Sequence, residues 1–298
     1  MYLNMIKLYM VILMEKKKEK KQNIFIKIFT ILLLIGFALL LYSHFIGTKG
    51  LIIREYAIVN NKIPESFNGF KIIHFTDLHY GTTINKKEMT NLVNKINELK
   101  PDIVVFTGDL LDKHVFLNDK QIEDLANGLN SIEANIDKYI ISGNHDINKG
   151  YEKVLEKIDF KNLDNKNELI YYKGNIPIAL IGLADYLEFG IKVDEAFNYE
   201  KNEEDDFYTI LLTHEPDVVD EIKDYNYNLV LSGHSHNGQV RLPFIGKIYT
   251  PIGSKKYYDE KYELTNATMY ISGGLGTSAA PFRFLVKPSF NFYRLYTN

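Results

Sequence analysis

Leu231-Ser232-Gly233-His234-Ser235-His236-Asn237-Gly238 places two imidazoles one residue apart, after an apolar run and between glycines. Such a pair can point into one small volume and suits a metal ion. The same arrangement recurs upstream. Lys71-Ile72-Ile73-His74-Phe75 leads to Asp77-Leu78-His79, and Ile103-Val104-Val105-Phe106 leads to Gly108-Asp109. Tyr139-Ile140-Ile141 leads to Gly143-Asn144-His145-Asp146, and Thr209-Ile210-Leu211-Leu212 to Thr213-His214-Glu215. Short β-branched runs bounded by turn residues read as buried strands, so five strands each end in His, Asp or Asn.

Between these strands the spacing turns helical. Met89, Leu92, Val93, Ile96 and Leu99 mark a helix over 86–99 that Pro101 stops; Ile122, Leu125, Leu129, Ile132 and Ile136 mark a second; Val154, Leu155 and Ile158 mark a third. A strand at 51–59 precedes them. Beyond residue 168 strands become denser, at 169–173, 176–184, 207–213, 228–232, 239–242, 268–272 and 290–296. The alternation predicts an α/β (α+β) fold: a sandwich of two mixed β-sheets with helices on both outer faces and the site on loops at the strand C-termini. The acidic run Glu203-Glu204-Asp205-Asp206 reads as a solvated loop.

Residues 24–46, IFIKIFTILLLIGFALLLYSHFI, are long and apolar enough to span hydrocarbon, with Lys27 placed to snorkel. A cleaved signal peptide fits less well, because the run is long for one and no small-x-small pattern follows 41–45. Lys16, Lys17, Lys18, Lys20 and Lys21 precede the span, and positive flanks stay cytoplasmic. The expected organisation is a basic cytoplasmic segment at 1–23, a single-pass transmembrane signal anchor at 24–46, and a catalytic domain at 47–298 that is extracytoplasmic. Met14, followed by Glu15-Lys16-Lys17, reads as an alternative start to Met1.

The 298 residues are 46% hydrophobic and 24% charged, enough to bury a full core. Zero cysteines exclude disulfides, thiolate zinc sites and a cysteine nucleophile. The net charge of −3 hides an asymmetry: residues 1–46 carry seven lysines against two glutamates, a net +5, leaving −8 on the remainder. Nucleic-acid enzymes grip phosphate with clustered Lys and Arg, so no nucleic-acid partner is expected, and no sequence feature calls for a protein partner.

The chemistry concentrates at the strand ends. Asp77 and His79, two apart, fall on one side of an extended segment and can share an ion. Asp109 can offer one carboxylate to two ions; His236 completes the first, and Asn144, His214 and His234 the second. Mixed oxygen and nitrogen ligands without thiolate suit divalent Mn, Fe, Zn or Mg. Two ions roughly 3.5–4 Å apart clamp a phosphoryl group and hold a bridging hydroxide for in-line attack. His74, inside its strand, reads as a core or supporting residue, His44 as interfacial and His114 as loop surface. The loop Gly273-Gly274-Leu275-Gly276 reads either as a phosphate-facing set of N–H groups or as a plain turn.

Asp77-x-His79, Gly108-Asp109-x-x-Asp112, Gly143-Asn144-His145-Asp146, His214 and Gly233-His234-x-His236 resemble, in order and spacing, the five-block signature of the calcineurin-like metallophosphoesterases, over roughly residues 70–240. Further on, the segments 236–243 and 273–278 and Pro281-x-Arg283-Phe284 look like the bacterial membrane-associated branch that includes phosphodiesterases and UDP-2,3-diacylglucosamine pyrophosphatases. The resemblance implies a four-layer αββα sandwich, Asp109 bridging two divalent ions (Mn, Fe or Zn), and His145 as a catalytic residue that is not a ligand. It implies that Asp112 orients His145, with Asp146 as the local alternative. Lys113 stands where eukaryotic-type protein phosphatases have Arg, which weakens a protein-phosphatase reading. Arg283 and Arg241 are the candidate substrate-binding cations. The expected activity is metal-dependent hydrolysis of a phosphodiester or pyrophosphate bond in a phosphorylated small molecule or a lipid-linked envelope substrate. The alternatives are a cytoplasmic-facing nucleotide or UDP-sugar-lipid pyrophosphatase and a non-catalytic metal-bound scaffold.

Overall fold

A computed structural model describes residues 2–198 and 207–298; residue 1 and residues 199–206, including the acidic run 203–206, lie outside the described residues. Contacts divide the chain into two units, Met1–Ile46 and Gly47–Asn298. The first is one helix, α1 (Tyr2–Phe45), long and apolar enough to cross a membrane. Phe25, Leu34 and Phe37 along it are exposed, as a span that faces lipid requires. The lysine cluster lies inside this helix, so no structural break separates 1–23 from 24–46.

The second unit runs β1 (Ile52–Val59), β2 (Lys71–Phe75), α2 (Lys86–Leu99), β3 (Ile103–Thr107), α3 (Asp119–Asn130), β4 (Asp137–Ile141), α4 (Lys149–Leu155), β5 (Lys161–Asn162), β6 (Lys166–Ile170) and β7 (Ile178–Gly182). It continues with α5 (Val193–Ala196), β8 (Thr209–Thr213), β9 (Leu229–Ser232), β10 (Arg241–Leu242), β11 (Gly246–Lys247), β12 (Lys261–Glu263), β13 (Thr268–Ile271) and β14 (Ser289–Tyr296). One six-stranded sheet has the order β1-β14-β2-β3-β4-β5 and the other β12-β13-β9-β8-β7-β6. Both are mixed: β2, β3, β4 and β5 run parallel, as do β7, β8, β9 and β13, with antiparallel neighbours at β14, β6 and β12.

Strand alternation builds the layers. Ile73, Phe75, Val104, Phe106 and Ile140 face outward onto α2, α3 and α4, while Ile72, Ile103, Val105 and Ile141 face inward and meet Leu180, Ile210, Leu212 and Leu231 of the other sheet. The helices begin on capping boxes, Asn85 with Glu88 in α2 and Asn118 with Gln121 in α3. α2 ends on Lys100 in the left-handed conformation just before Pro101. The fourth layer is thin. Leu211, Val230, Met269 and Ile271 are covered by the four-residue α5, by the 3-10 turn at Pro216–Asp220 and by loops.

Three expectations shift locally, the first being the strand expected at 169–173, which runs as β6 over 166–170. The strand expected at 239–242 shrinks to β10, paired with β11 as a small hairpin and linked by one isolated bridge from Val240 to Phe284, because Asn237 and Gln239 take φ of 48° and 50°. α3 ends at Asn130, so Ile132 packs into the core from a loop and Ile136 is 39% exposed.

Candidate metal centre

The C-terminal ends of β2, β3 and β4 in one sheet and of β8 and β9 in the other meet at a common rim, and every candidate ligand sits there. Asp77, His79, Asp109, His234 and His236 all adopt φ between 41° and 64°. Non-glycine residues pay for that conformation, and such strain collects at functional sites. It turns each side chain out of its strand direction towards the gap between the sheets. Glycines permit the approach: a Cβ on Gly143 would sit 2.5 Å from Asp109 Oδ1, and one on Gly233 would collide with Thr76 and lie 2.8 Å from Asp77 Oδ2.

The ligand atoms fall into two pockets sharing a wall. Asp77, His79 and His236 form one cluster and Asp109, His214 and His234 another, in each of which one nitrogen or oxygen atom per residue lies within 4.8 Å of the others. His79 Nε2 lies 3.2 Å from His236 Nε2, and His214 Nε2 lies 3.2 Å from His234 Nδ1. Asp109 Oδ2 stands between the pairs, 3.4 Å from His79 Nε2 and 3.2 Å from His214 Nε2. The outer nitrogens are fixed: His214 Nδ1 donates to Thr107 O at 2.6 Å and His234 Nε2 to Ile252 O at 2.7 Å. With both rings neutral, each inner nitrogen of that pair would carry a lone pair facing the other; in the absence of a metal the Asp109 carboxylate favours a proton on His214 Nε2, the position a cation would take over. Burial lowers His79 to about 4 and His234 to about 3, so both are neutral and able to ligate near neutrality. His214 is held above its ordinary value, because the Asp109 charge outweighs burial. Half-buried Asn144 offers an Oδ1 with no hydrogen-bond partner. Two opposed imidazole pairs, a shared carboxylate and an unpartnered amide oxygen together fit two divalent cations.

His145 lies beside these clusters and forms a further group with His79 and Asp112. Its Nδ1 is 3.4 Å from Asp112 Oδ2 and 3.3 Å from the Lys113 amide nitrogen, and its ring stands edge-on to His79 at 4.8 Å between centroids. Burial pushes the His145 pKa down, but the Asp112 and Asp109 carboxylates outweigh it and hold the imidazole above its ordinary value. Asp112, despite desolvation, sits at about 2 because His145 and the His114 amide favour its charged form. His145 Nε2 is thereby left for the cavity, a space of about 960 Å³ also lined by Asp109, Asn144, His234 and His236.

Other expected site residues have different work. Asp146 does not orient His145; its carboxylate accepts the amides of Asp109, Leu110, Leu111 and Gly143, clamping the β3 and β4 loops together. Arg283 is fully buried rather than open to substrate. Its guanidinium donates to the carbonyls of Gly273, Gly274 and Gly276 and touches His236 Nδ1 at 3.1 Å. The glycine loop is the turn of the two readings: the Leu275 and Gly276 amides donate to the carbonyls of Thr76 and Asp77. Arg241 pairs with Asp259 at 2.6 Å beside the cavity residues Gln239 and Val240. His74 is a neutral core residue bonded to Thr107 Oγ1, its pKa lowered by burial to about 3. His114 and Lys113 are exposed at the cavity edge. Sequence reasoning missed the cavity wall formed by Ile248, Tyr249 and Pro251 and by Thr277 to Pro281; the apolar run 242–245 beside a glycine was the available signal.

The profile of the calcineurin-like phosphoesterase family matches residues 70–238. The chain is similar to the uncharacterized metallophosphoesterase YkuE of Bacillus subtilis, 34% identical over 267 residues, covering 87% of this chain and 89% of that protein. It is also similar to a transmembrane protein with metallophosphoesterase domain of Danio rerio, 28% identical over 239 residues, covering 74% of this chain and about half, 52%, of that protein. A solved NAD nucleotidase of Haemophilus influenzae aligns at a TM-score of 0.44 and 17% identity, over 69% of this chain and 45% of that one. From the extent of the family match and the likeness to YkuE over most of both chains, this protein belongs to the calcineurin-like phosphoesterases and is a phosphoester hydrolase.

Proposed function

We propose that the chain is a membrane-anchored phosphoesterase that uses two divalent ions to hydrolyse a phosphodiester or pyrophosphate bond, with its catalytic domain outside the cytoplasm. The observation that carries this reading is the pair of opposed imidazole contacts at 3.2 Å with the Asp109 carboxylate between them. Asp77, His79, Asp109 and His236 would hold one ion, and Asp109, Asn144, His214 and His234 the other. When bound, such a pair neutralises phosphoryl oxygens and lowers the pKa of water enough to supply a nucleophile at neutral pH.

The remaining work belongs to side chains. Asp109 sets the spacing of the two pockets, and Asp146 sets Asp109 through its backbone amide. His145, charged through Asp112, holds a proton on Nε2 and passes it to the departing oxygen, a role typically worth 10²–10⁴-fold. Lys113, exposed at the edge, adds positive charge where an anionic substrate enters. The lysines ahead of the span support the outward orientation, and the net −8 of residues 47–298 speaks against a nucleic-acid substrate.

The test is elemental analysis of the purified full chain after Mn²⁺ loading, with turnover of bis-p-nitrophenyl phosphate. About two equivalents of metal and metal-dependent turnover are expected. One equivalent or none, with turnover indifferent to chelation, would refute the two-ion reading.

A further inference from the structure

Six large apolar side chains stand in solvent on one side of the cavity. Phe244, Ile245, Ile248, Tyr249, Ile252 and Leu285 are 109, 74, 60, 66, 70 and 61% exposed. They are contiguous through the backbone: β10 and β11 close a hairpin with Phe244 and Ile245 at its tip, Ile248 N–H donates to Val240 O at 3.2 Å, and Arg241 N–H donates to Phe284 O at 3.0 Å. The patch reaches the site itself. Ile248 and Tyr249 line the cavity, and the Ile252 carbonyl accepts from His234.

This surface is costly in water on two counts. It exposes aliphatic and aromatic area, and it holds Phe244 at φ 66° and Leu285 at φ 58°, a region bulky residues avoid. A plain surface turn would use Gly or Asn there. Cations flank it: Lys255 lies over the Tyr249 ring at 4.7 Å and Lys247 over the Tyr258 ring at 3.1 Å. Lys247 Nζ reaches the Lys255 carbonyl at 3.4 Å, so the two lysines share one edge of the patch, while Arg241 beside them is neutralised by Asp259. Apolar tips ringed by Tyr and Lys are the composition of segments that seat in a lipid headgroup layer. The chain supplies such a layer itself. Only residues 46–51 separate α1 from β1, a tether of roughly 20–22 Å when fully extended.

We propose that the 242–252 hairpin region and Leu285 dock onto the anionic phospholipid surface of the membrane the anchor crosses, so that the cavity opens towards lipid headgroups and takes its phosphoester from a lipid. This rests on the phosphoesterase reading above and narrows its substrate class. Phe244, Ile245 and Leu285 enter the headgroup and acyl boundary, and Lys247 and Lys255 pair with lipid phosphates.

The chain has no cysteine, so Phe244→Cys, Leu285→Cys and, as a control on α3, Lys120→Cys each accept a single polarity-sensitive dye. The full chain is reconstituted in phosphatidylglycerol and phosphatidylcholine vesicles containing brominated lipid. Quenching is expected at positions 244 and 285 and not at 120. With the dye at 285, Phe244→Asp combined with Ile245→Asp should cut lipid quenching roughly tenfold or more, since burial of each such side chain is worth at least that factor. Absence of lipid quenching at 244 and 285 overturns the proposal. So does a concentration-dependent blue shift without lipid quenching, which would mean that a second copy covers the patch, and so does unchanged quenching in the double variant. Bis-p-nitrophenyl phosphate turnover by the same vesicles separates the two readings: turnover without quenching sinks the docking alone, and quenching without turnover sinks the phosphoesterase site alone.

Discussion

Asp112→Asn isolates the proton-donating role assigned to His145. The substitution keeps the shape of the side chain and an oxygen for the His114 amide, now 2.9 Å from Asp112 Oδ1, but removes the charge 3.4 Å from His145 Nδ1. Two unit charges at that separation interact by about 5 kcal/mol in an effective dielectric of about 20. Solvent screening and the remaining Asp109 charge reduce what is observed, and a loss of about 1.4–3 kcal/mol lowers the His145 pKa by about one to two units. The sign follows from the direction of the native shift. His145 titrates above its ordinary value, so its imidazolium persists below that raised pKa and disappears as pH rises through it. In the variant the basic limb of the kcat profile should move to lower pH, with turnover of an alkyl phosphodiester down roughly ten- to a hundredfold on the alkaline side. A nitrophenyl ester, whose leaving group needs little protonation, should lose less. The assay is kcat against pH for both esters, with metal content measured in parallel. An unmoved basic limb at normal metal content, or equal losses on both esters, would refute proton donation by His145.

His145→Ala should keep near-normal metal content while turnover falls roughly 10²–10⁴-fold, whereas Asp109→Ala should lose at least one ion and activity together, as elemental analysis with kinetics would show; metal loss in His145→Ala would make that residue a ligand instead. Arg283→Met strands the carbonyls of Gly273, Gly274 and Gly276, each worth about 1–3 kcal/mol unsatisfied, so thermal or urea unfolding should register a loss of about 3 kcal/mol or more; Arg283→Lys, with fewer donors, should fall between, and a fully stable Arg283→Met with a weakened substrate KM would return Arg283 to substrate binding. Protease added to intact protoplasts should digest residues 47–298, and full protection would reverse the orientation of the anchor.

Much of the site was readable before any coordinates because chemistry and folding make opposite demands on the same short segments. A parallel strand buried on both faces must be apolar, as Ile103 to Phe106 is, and a metal ligand must be His, Asp or Asn. A change from one to the other at Gly108-Asp109 or Gly143-Asn144 therefore marks both the strand end and the site. Asp146 shows where such reading stops. In sequence it is an acid beside His145; three of its four partners are backbone amides 35–37 residues away, which no local pattern records. Arg283 fails in the same way, since an arginine after a glycine loop reads as substrate-binding until its donors are seen spent on that loop's carbonyls.

By itself, then, the sequence disclosed the long apolar N-terminal helix, most of the order of strands and helices, the clusters of His and Asp at the strand ends and the class of chemistry, because each depends on residue type at short spacing, where hydrophobic periodicity and side-chain chemistry are written directly. Only the tertiary structure decided which nitrogens face inward, which acid touches His145, how thin the fourth layer is, and that Phe244, Ile245 and Leu285 point to solvent. Those are properties of contacts between segments far apart in the chain. An apolar residue looks the same in sequence whether it fills a core or waits for a membrane, and the fold alone determines which surface remains for it to cover.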